Sequence, residues 1–392
     1  MLRLAHLRMF GAAVLVALLL SPGPAAPAPS APRYGAEPAV ALSSAEEEVI
    51  ELALARFSAG GARPRISGAL VSAARLLARE AADGADPTRR RTVRDALARA
   101  LAYDAAPRIY AARGGAAEWS DVLADALGPG AGSATHVGAG VVERDGARTT
   151  VILASSRGAR LDPFPQRVRP GARVVLSGQL RAGLCDARVF VTRPSGRVVE
   201  ISAPRGVWFR VEIPFAEPGR HAVEVLARGP QGPTVAALFP VAAGAASIEE
   251  PRADGVPESE ADPARAEAAV LAALQALRAQ RGLSPLVADA KLTAVARRHS
   301  EAMRRAETLG HAVPGSPEPD ERLRAARLPY RRLYENVAVA STALEAHAAA
   351  VASPAHLRNM LEPGVRTVGV GIARELSASG RTRVYLTEIF VE

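Results

Sequence analysis

Ala296-Arg297-Arg298-His299-Ser300-Glu301-Ala302-Met303 is the first of four polar signatures that follow one another in the last third of the chain. Leu309-Gly310-His311 comes next, then Tyr334-Glu335-Asn336-Val337-Ala338. The fourth, Ser353-Pro354-Ala355-His356-Leu357-Arg358-Asn359-Met360-Leu361, leads into Val368-Gly369-Val370-Gly371-Ile372. Each places His, Glu, Ser or Asn inside an apolar stretch, where an unpaired polar group is costly. One such placement is noise; an ordered series implies a shared polar site.

The surrounding periodicity supplies a frame. Val270, Leu274 and Leu277 mark one face of a helix closed by Gly282. A second helix starts near Asp289 and carries Leu292, Ala296, His299 and Met303 along one side. A third runs from about Thr342 to Ser353-Pro354, because the residue before a proline avoids the helical region. Two strands follow, Thr367 to Ala373 and Val384 to Phe390.

Together with the run from Arg278 to Leu286 and with Leu386-Thr387-Glu388-Ile389-Phe390, the signatures resemble the CAP (SCP/PR-1-like, cysteine-rich secretory protein) domain in its bacterial form. The resemblance covers about Asp262 to Glu392. It implies a three-layer α-β-α sandwich with a cleft, into which a His and a Glu matched by His311 and Glu335 face. It also implies that further His and acidic residues could complete a tetrad able to take a divalent metal such as zinc, as in many eukaryotic members. Two departures stand out. Tyr385 occupies the place of the family's final-strand His, with Glu388 at the following Gln, and Ala350 replaces the Trp usual three residues before the Ser-Pro pair. The second change implies a more open or differently packed wall.

On their own chemistry, His311 after Gly310 and Glu335 ahead of Val337 are the pair expected to share the cleft and, if any metal is held, to ligate it. Imidazole can serve as ligand or base near neutral pH, and a half-buried carboxylate needs a donor. Asn336 belongs to the same signature. His299 reads as a satisfied core histidine. Ser353 is placed to cap a new helix and Asn359 to bond backbone, while His356 either lines the cleft or braces it. Glu388 shares a strand face with Leu386 and Phe390, as a cleft carboxylate or a solvated end.

The rest of the chain bounds the reading. With 392 residues, two or three domains are expected. The formal charge of +9 suggests a nucleic-acid or membrane-surface partner, but the basic residues are almost all scattered arginines without interleaved aromatics, which argues against nucleic acid. Arg3 and Arg8, the apolar run from Met9 to Leu20 and the small residues after it read as a cleaved signal over residues 1–26, leaving no membrane span. An uncleaved anchor is the other reading of that segment. The lone Cys185 permits no internal disulfide.

The expected organisation is α+β and multidomain: a Pro/Ala tether at 27–42, a helical to α+β region at 43–156 and an Ig-like β-sandwich at 165–243. An acidic, Pro-rich linker at 244–262 and the CAP-like domain at 263–392 complete it. His221, just past a turn of the sandwich, reads as structural. Thr135-His136-Val137-Gly138-Ala139-Gly140-Val141-Val142 parallels Arg366 to Ala373, so residues 43–156 are expected to be a degenerate copy of the last domain.

Three functions stay open on the sequence. The first is an exported protein, secreted or in the periplasm or cell envelope, whose cleft binds a small amphipathic, glycan or peptide ligand with the sandwich as a spacer. The second is a metal-dependent hydrolase of envelope material; no His-Glu-x-x-His occurs, and zinc catalysis usually takes three protein ligands. The third is a structural envelope protein. A serine hydrolase is disfavoured, since nothing around Ser353 resembles a glycine elbow or oxyanion hole.

Overall fold

The C-terminal module is a four-stranded sheet between helices. Its strand order is Val287–Ala288, Thr367–Leu376, Thr382–Val391, Leu333–Ala340, with the first pair parallel and the others antiparallel. Alternation along Thr382–Val391 divides the core. Val384, Leu386 and Phe390 meet the helices Pro263–Ala279 and Ala343–Ala352, whereas Ile389 and Val391 meet the helix Ala290–Arg305. The result is the three-layer arrangement that the sequence implies. The computed structural model describes residues 31–58, 62–115, 134–250, 262–376 and 382–392; the signal read at 1–26 and part of the linker lie outside these. None of the described helices is long and apolar enough to cross a membrane.

Side-chain caps fix the starts of two of the C-terminal module's helices. Asp289 accepts from the Leu292 N–H at 2.8 Å and Thr342 from the Glu345 N–H at 3.1 Å. The second strand then lies directly beneath Ala290–Arg305. A Cβ on Gly369 would collide with the backbone at Leu292 and Thr293, and one on Gly371 with the backbone at Arg297. Arg297 reaches across to Glu267, whose carboxylate also accepts from the Ile372 N–H at 3.2 Å, so one ion pair ties both helix layers to the strand.

The N-terminal module has a sheet of the same strand order. Its sheet runs Arg65–Ile66, His136–Arg144, Ala147–Ser155, Arg108–Gly115, again with the two-residue first strand parallel to the second. Gly138 and Gly140 lie under the helix Gly68–Ala82, against Leu70, Val71 and Arg75. Arg75 pairs with Glu46 of the helix Ser44–Phe57, the same relation that Arg297 has to Glu267.

Between these two modules sits a β-sandwich. One sheet has five strands, ordered Val198–Ser202, Cys185–Thr192, Gly219–Gly229, Gly232–Ala243, Arg167–Val168; the other has three, Trp208–Phe215, Ala172–Leu180, Ala159–Leu161. Phe209, Ile213, Phe215, Val189, Val225 and Phe239 fill the space between them. His221 is fully buried, edge-on to the Phe215 ring. The stretch read as a tether is partly built in: Tyr34 pairs with Phe164, lies in the sandwich core and donates to the Pro240 carbonyl at 2.8 Å. The first acidic residues of the linker are engaged too, Glu250 with Arg90 at 2.7 Å and Glu249 with Arg99 at 2.6 Å.

Close strand-to-helix approach at Gly371 leads to a direct test. Gly371→Ala is expected to cost about 1–3 kcal/mol through overpacking, read as a lowered urea midpoint. A midpoint equal to wild type would mean that the helix does not press on this strand.

Candidate functional site

Leu333–Ala340 is the edge strand of its sheet, and alternation sends its side chains to opposite faces. Val337 packs with Met303 of the helix Ala290–Arg305, while Ala338 joins the core on the other side. Glu335 therefore faces the Ala290–Arg305 side, and Asn336 the opposite one.

Glu335 is 6% exposed and is the centre of a charged network. Its Oε1 accepts from His311 Nδ1 at 2.9 Å and from the Arg322 guanidinium at 2.9 Å; the same guanidinium lies 2.8 Å from Oε2. Burial alone would raise this carboxyl. The His311 hydrogen bond and the charge of Arg322 outweigh it and hold Glu335 below its ordinary range. Arg322 also donates to the His311 and Pro317 carbonyls, so it anchors the loop that presents the imidazole.

His299 supports this loop from below. Fully buried, it bonds through Nδ1 to Ser316 Oγ at 2.8 Å and through Nε2 to the Gly310 carbonyl at 3.0 Å. Desolvation, assisted by Arg322 and His311, lowers it to about 4, so it stays neutral. It is the core histidine of the sequence reading, and it positions His311 through the preceding residue.

The fourth signature forms a helix, Pro354–Met360, laid along the edge strand. Ser353 caps it, accepting from the His356 N–H. Asn359 Nδ2 reaches the Glu335 carbonyl at 3.3 Å and Asn336 Oδ1 at 3.0 Å, and Asn336 Nδ2 donates to the His356 carbonyl at 3.2 Å. His356 is half-buried and shares a cavity of about 880 Å³ with His311 and Glu335. Desolvation and then the neighbouring His311 lower the His356 imidazole to about 4, which keeps it neutral.

The cavity wall is mostly apolar. The C-terminal module contributes Leu309, Tyr330, Val337, Val339, Ala349 and Ala350, and the sandwich contributes Phe190, Leu226, Val235 and Leu238. Ala350, where the resemblance expects a Trp, thus leaves open a wall that the sandwich faces. Tyr385 is buried with Met303 and Val337 and does not itself line the cavity.

Asn336 and Glu388 are not among the residues lining the cavity. Glu388 is fully buried behind the sheet, bonded to His347 Nδ1 at 2.8 Å and to Asn336 Nδ2 at 3.1 Å. The structure therefore brings together His311, Glu335, His356, Ser353 and Asn359, with Asn336 and Glu388 as a bracing layer behind them. Sequence reasoning missed Arg322 and His347. His347 had a usable signal, because it shares a helix face with Ala343, Ala346 and Ala350, all buried. Arg322 had only its place as one of 49 basic residues.

This donor set does not suit a metal cation. Both Glu335 oxygens already face the Arg322 guanidinium, whose positive charge would oppose a second cation there. His311 bonds the same carboxylate through Nδ1, so Nε2 is the one ring nitrogen it could offer a metal. Among the described residues, no group of three or more His, Cys, Asp or Glu is placed to hold a metal ion.

Residues 271–390 match the family model described as CAP, the Cysteine-rich secretory protein family, so the C-terminal module is a CAP domain. No curated protein matches the chain. Solved structures similar to it include an extracellular protein containing a SCP domain from Bacillus anthracis, 15% identical with a TM-score of 0.31, over 44% of this chain and 64% of that one. An outer surface protein from Borrelia burgdorferi is 16% identical with a TM-score of 0.29, over 33% and 92%. A cysteine-rich secretory protein from Staphylococcus aureus is 13% identical with a TM-score of 0.27, over 56% and 77%. The chain spans under two thirds of the first of these.

Removing the Glu335 charge should be severe. Glu335→Gln leaves the buried Arg322 guanidinium without its anion and is expected to cost about 3–5 kcal/mol. Since the folded carboxyl sits below its ordinary 4.5, its stabilisation is complete above about pH 4.5 and fades as the pH falls. Wild type should lose this increment on acidification and the variant should not. Parallel stability curves for the two proteins below pH 4.5 would refute the pairing.

Proposed function

We propose that the chain is an exported binding protein whose CAP domain holds a small ligand in the His311–Glu335–His356 cavity. The single observation that carries this reading is the combination found there: a cavity of about 880 Å³ whose mostly apolar wall also carries two imidazoles and a fixed carboxylate. Pockets of this volume that are mostly apolar with a few convergent polar groups are typical of small-molecule sites. Among amphipathic, glycan and peptide ligands, the lining favours an amphipathic one, its polar group against His311 and His356 and its apolar part along Val337, Leu226 and Leu238. Neutral His356 can donate or accept a hydrogen bond, which suits a hydroxyl, carbonyl or acid group.

Hydrolysis through a metal is not favoured, because the carboxylate beside His311 is already paired with Arg322. The same reading takes residues 43–156 as a degenerate CAP-like copy that retains the scaffold. Its support is the shared sheet order, the paired glycines under a helix and the matched ion pairs Glu46–Arg75 and Glu267–Arg297. Export rests on the N-terminal basic and apolar segment.

Mass spectrometry of small molecules that copurify from the native envelope tests the proposal. Wild type is expected to carry an amphipathic molecule in near-stoichiometric amount. The double variant His311→Ala, Glu335→Gln and the cavity-filling Ala349→Trp should each lose it at least tenfold. A ligand retained in all of these would place binding elsewhere.

A further inference from the structure

The β-sandwich reaches the C-terminal site at two points. Glu224, on the strand Gly219–Gly229, is fully buried and accepts from the Ser353 hydroxyl and from the Ala355 N–H, both at 2.7 Å. Those donors are the cap and the second residue of the helix Pro354–Met360, and the next residue is His356. At the turn of the same hairpin, the Gln231 carbonyl accepts from the His311 N–H at 3.2 Å and the Ala312 N–H at 3.4 Å. Gly232 lies against the His311 ring, where a Cβ would come within 3.1 Å of His311 Cβ. A buried carboxylate is expensive unless it is hydrogen-bonded. Both side-chain hydrogen bonds of Glu224 cross from the sandwich to the CAP domain, and each cavity imidazole is braced by one of the two crossings.

We propose that the sandwich is a working part of the ligand site and no spacer, with Glu224 as the positioning residue that sets His356 and Gln231 the one that sets His311. The proposal rests on the reading of this cavity as the ligand site. Geometry carries it, and protonation gives it a readout. Burial raises the Glu224 carboxyl to about 7, against the donors Ala355 and Ser353 and the charge of Arg94. The other charged groups on the elements packed around it are Arg188 and Arg358, both paired with Glu200, and His356, which is neutral. An acid raised in the docked state stabilises docking fully below its ordinary 4.5, and that contribution is lost as the pH rises through about 7. His356 is therefore held most firmly in mild acid.

Histidine carbethoxylation by diethyl pyrocarbonate on the full-length protein, read by mass spectrometry from pH 5.5 to 8.5, needs no ligand. Its outcome is therefore separate from that of the copurification. His356 is neutral throughout this range, so its labelling in wild type, corrected only for hydrolysis of the reagent, is expected to rise several-fold around pH 7. Glu224→Gln, which cannot ionise, should give a flat profile at the acid level. Glu224→Ala should raise His356 labelling about tenfold throughout, while the core residues His221 and His299 remain protected as in wild type. A wild-type pH step retained in Glu224→Gln, or Glu224→Ala labelling within twofold of wild type, overturns the proposal. If Glu224→Ala exposes His221 and His299 as well, the Glu224→Gln profile decides alone: a flat one supports positioning and a stepped one refutes it.

Discussion

A carboxylate buried at the edge of a sheet must find compensating charge or stay protonated, and at Glu335 that requirement organises the whole C-terminal site. Arg322 supplies the charge from a seven-residue helix, and His311 supplies a directional hydrogen bond from the loop before it. The two donors arrive on different segments, so the loop from Gly310 to Pro319 has to fold back over the strand. His299 and the carbonyls bound by Arg322 hold it there. Breaking the anion would strand a guanidinium in the interior, so the network is all-or-none in character.

Everything that positions this network is a consequence of close packing. Gly369 and Gly371 let the helix Ala290–Arg305 lie on the sheet, which sets the height of His299 beneath the loop. The helix Pro354–Met360 then covers the free edge of Leu333–Ala340 through Asn359 and Asn336, and the sandwich holds that helix through Glu224 and the His311 loop through Gln231. Polar side chains in these signatures divide into those that face the cavity and those that brace it from behind. His347 and Glu388 belong to the bracing set, a buried pair that keeps Asn336 in place.

Much of this was legible in the sequence, for identifiable reasons. Ordered signatures gave the CAP resemblance because each conflicts with local hydrophobicity, and such conflicts persist in a fold only when resolved together. The His311–Glu335 pair followed from the demand of a half-buried carboxylate for a donor. Arg322 did not, since one arginine among many scattered ones carries no signal until the chain folds back. Glu224 was hidden for a related reason: its hydrogen-bond partners lie about 130 residues away, and a lone Glu in a β-rich run reads as solvent-facing. Face assignment was the other gap. Asn336 and Glu335 are sequence neighbours, and only the strand's pleat sends them apart.

Carbon-detected NMR of the Glu335 side-chain carboxyl, titrated from pH 7 to pH 2, tests the central claim directly. If Arg322 and His311 hold a buried anion, the carboxyl titrates below 4.5, and its midpoint moves up in Arg322→Met. A wild-type carboxyl that titrates at or above 4.5, or one indifferent to the loss of Arg322, would contradict the account.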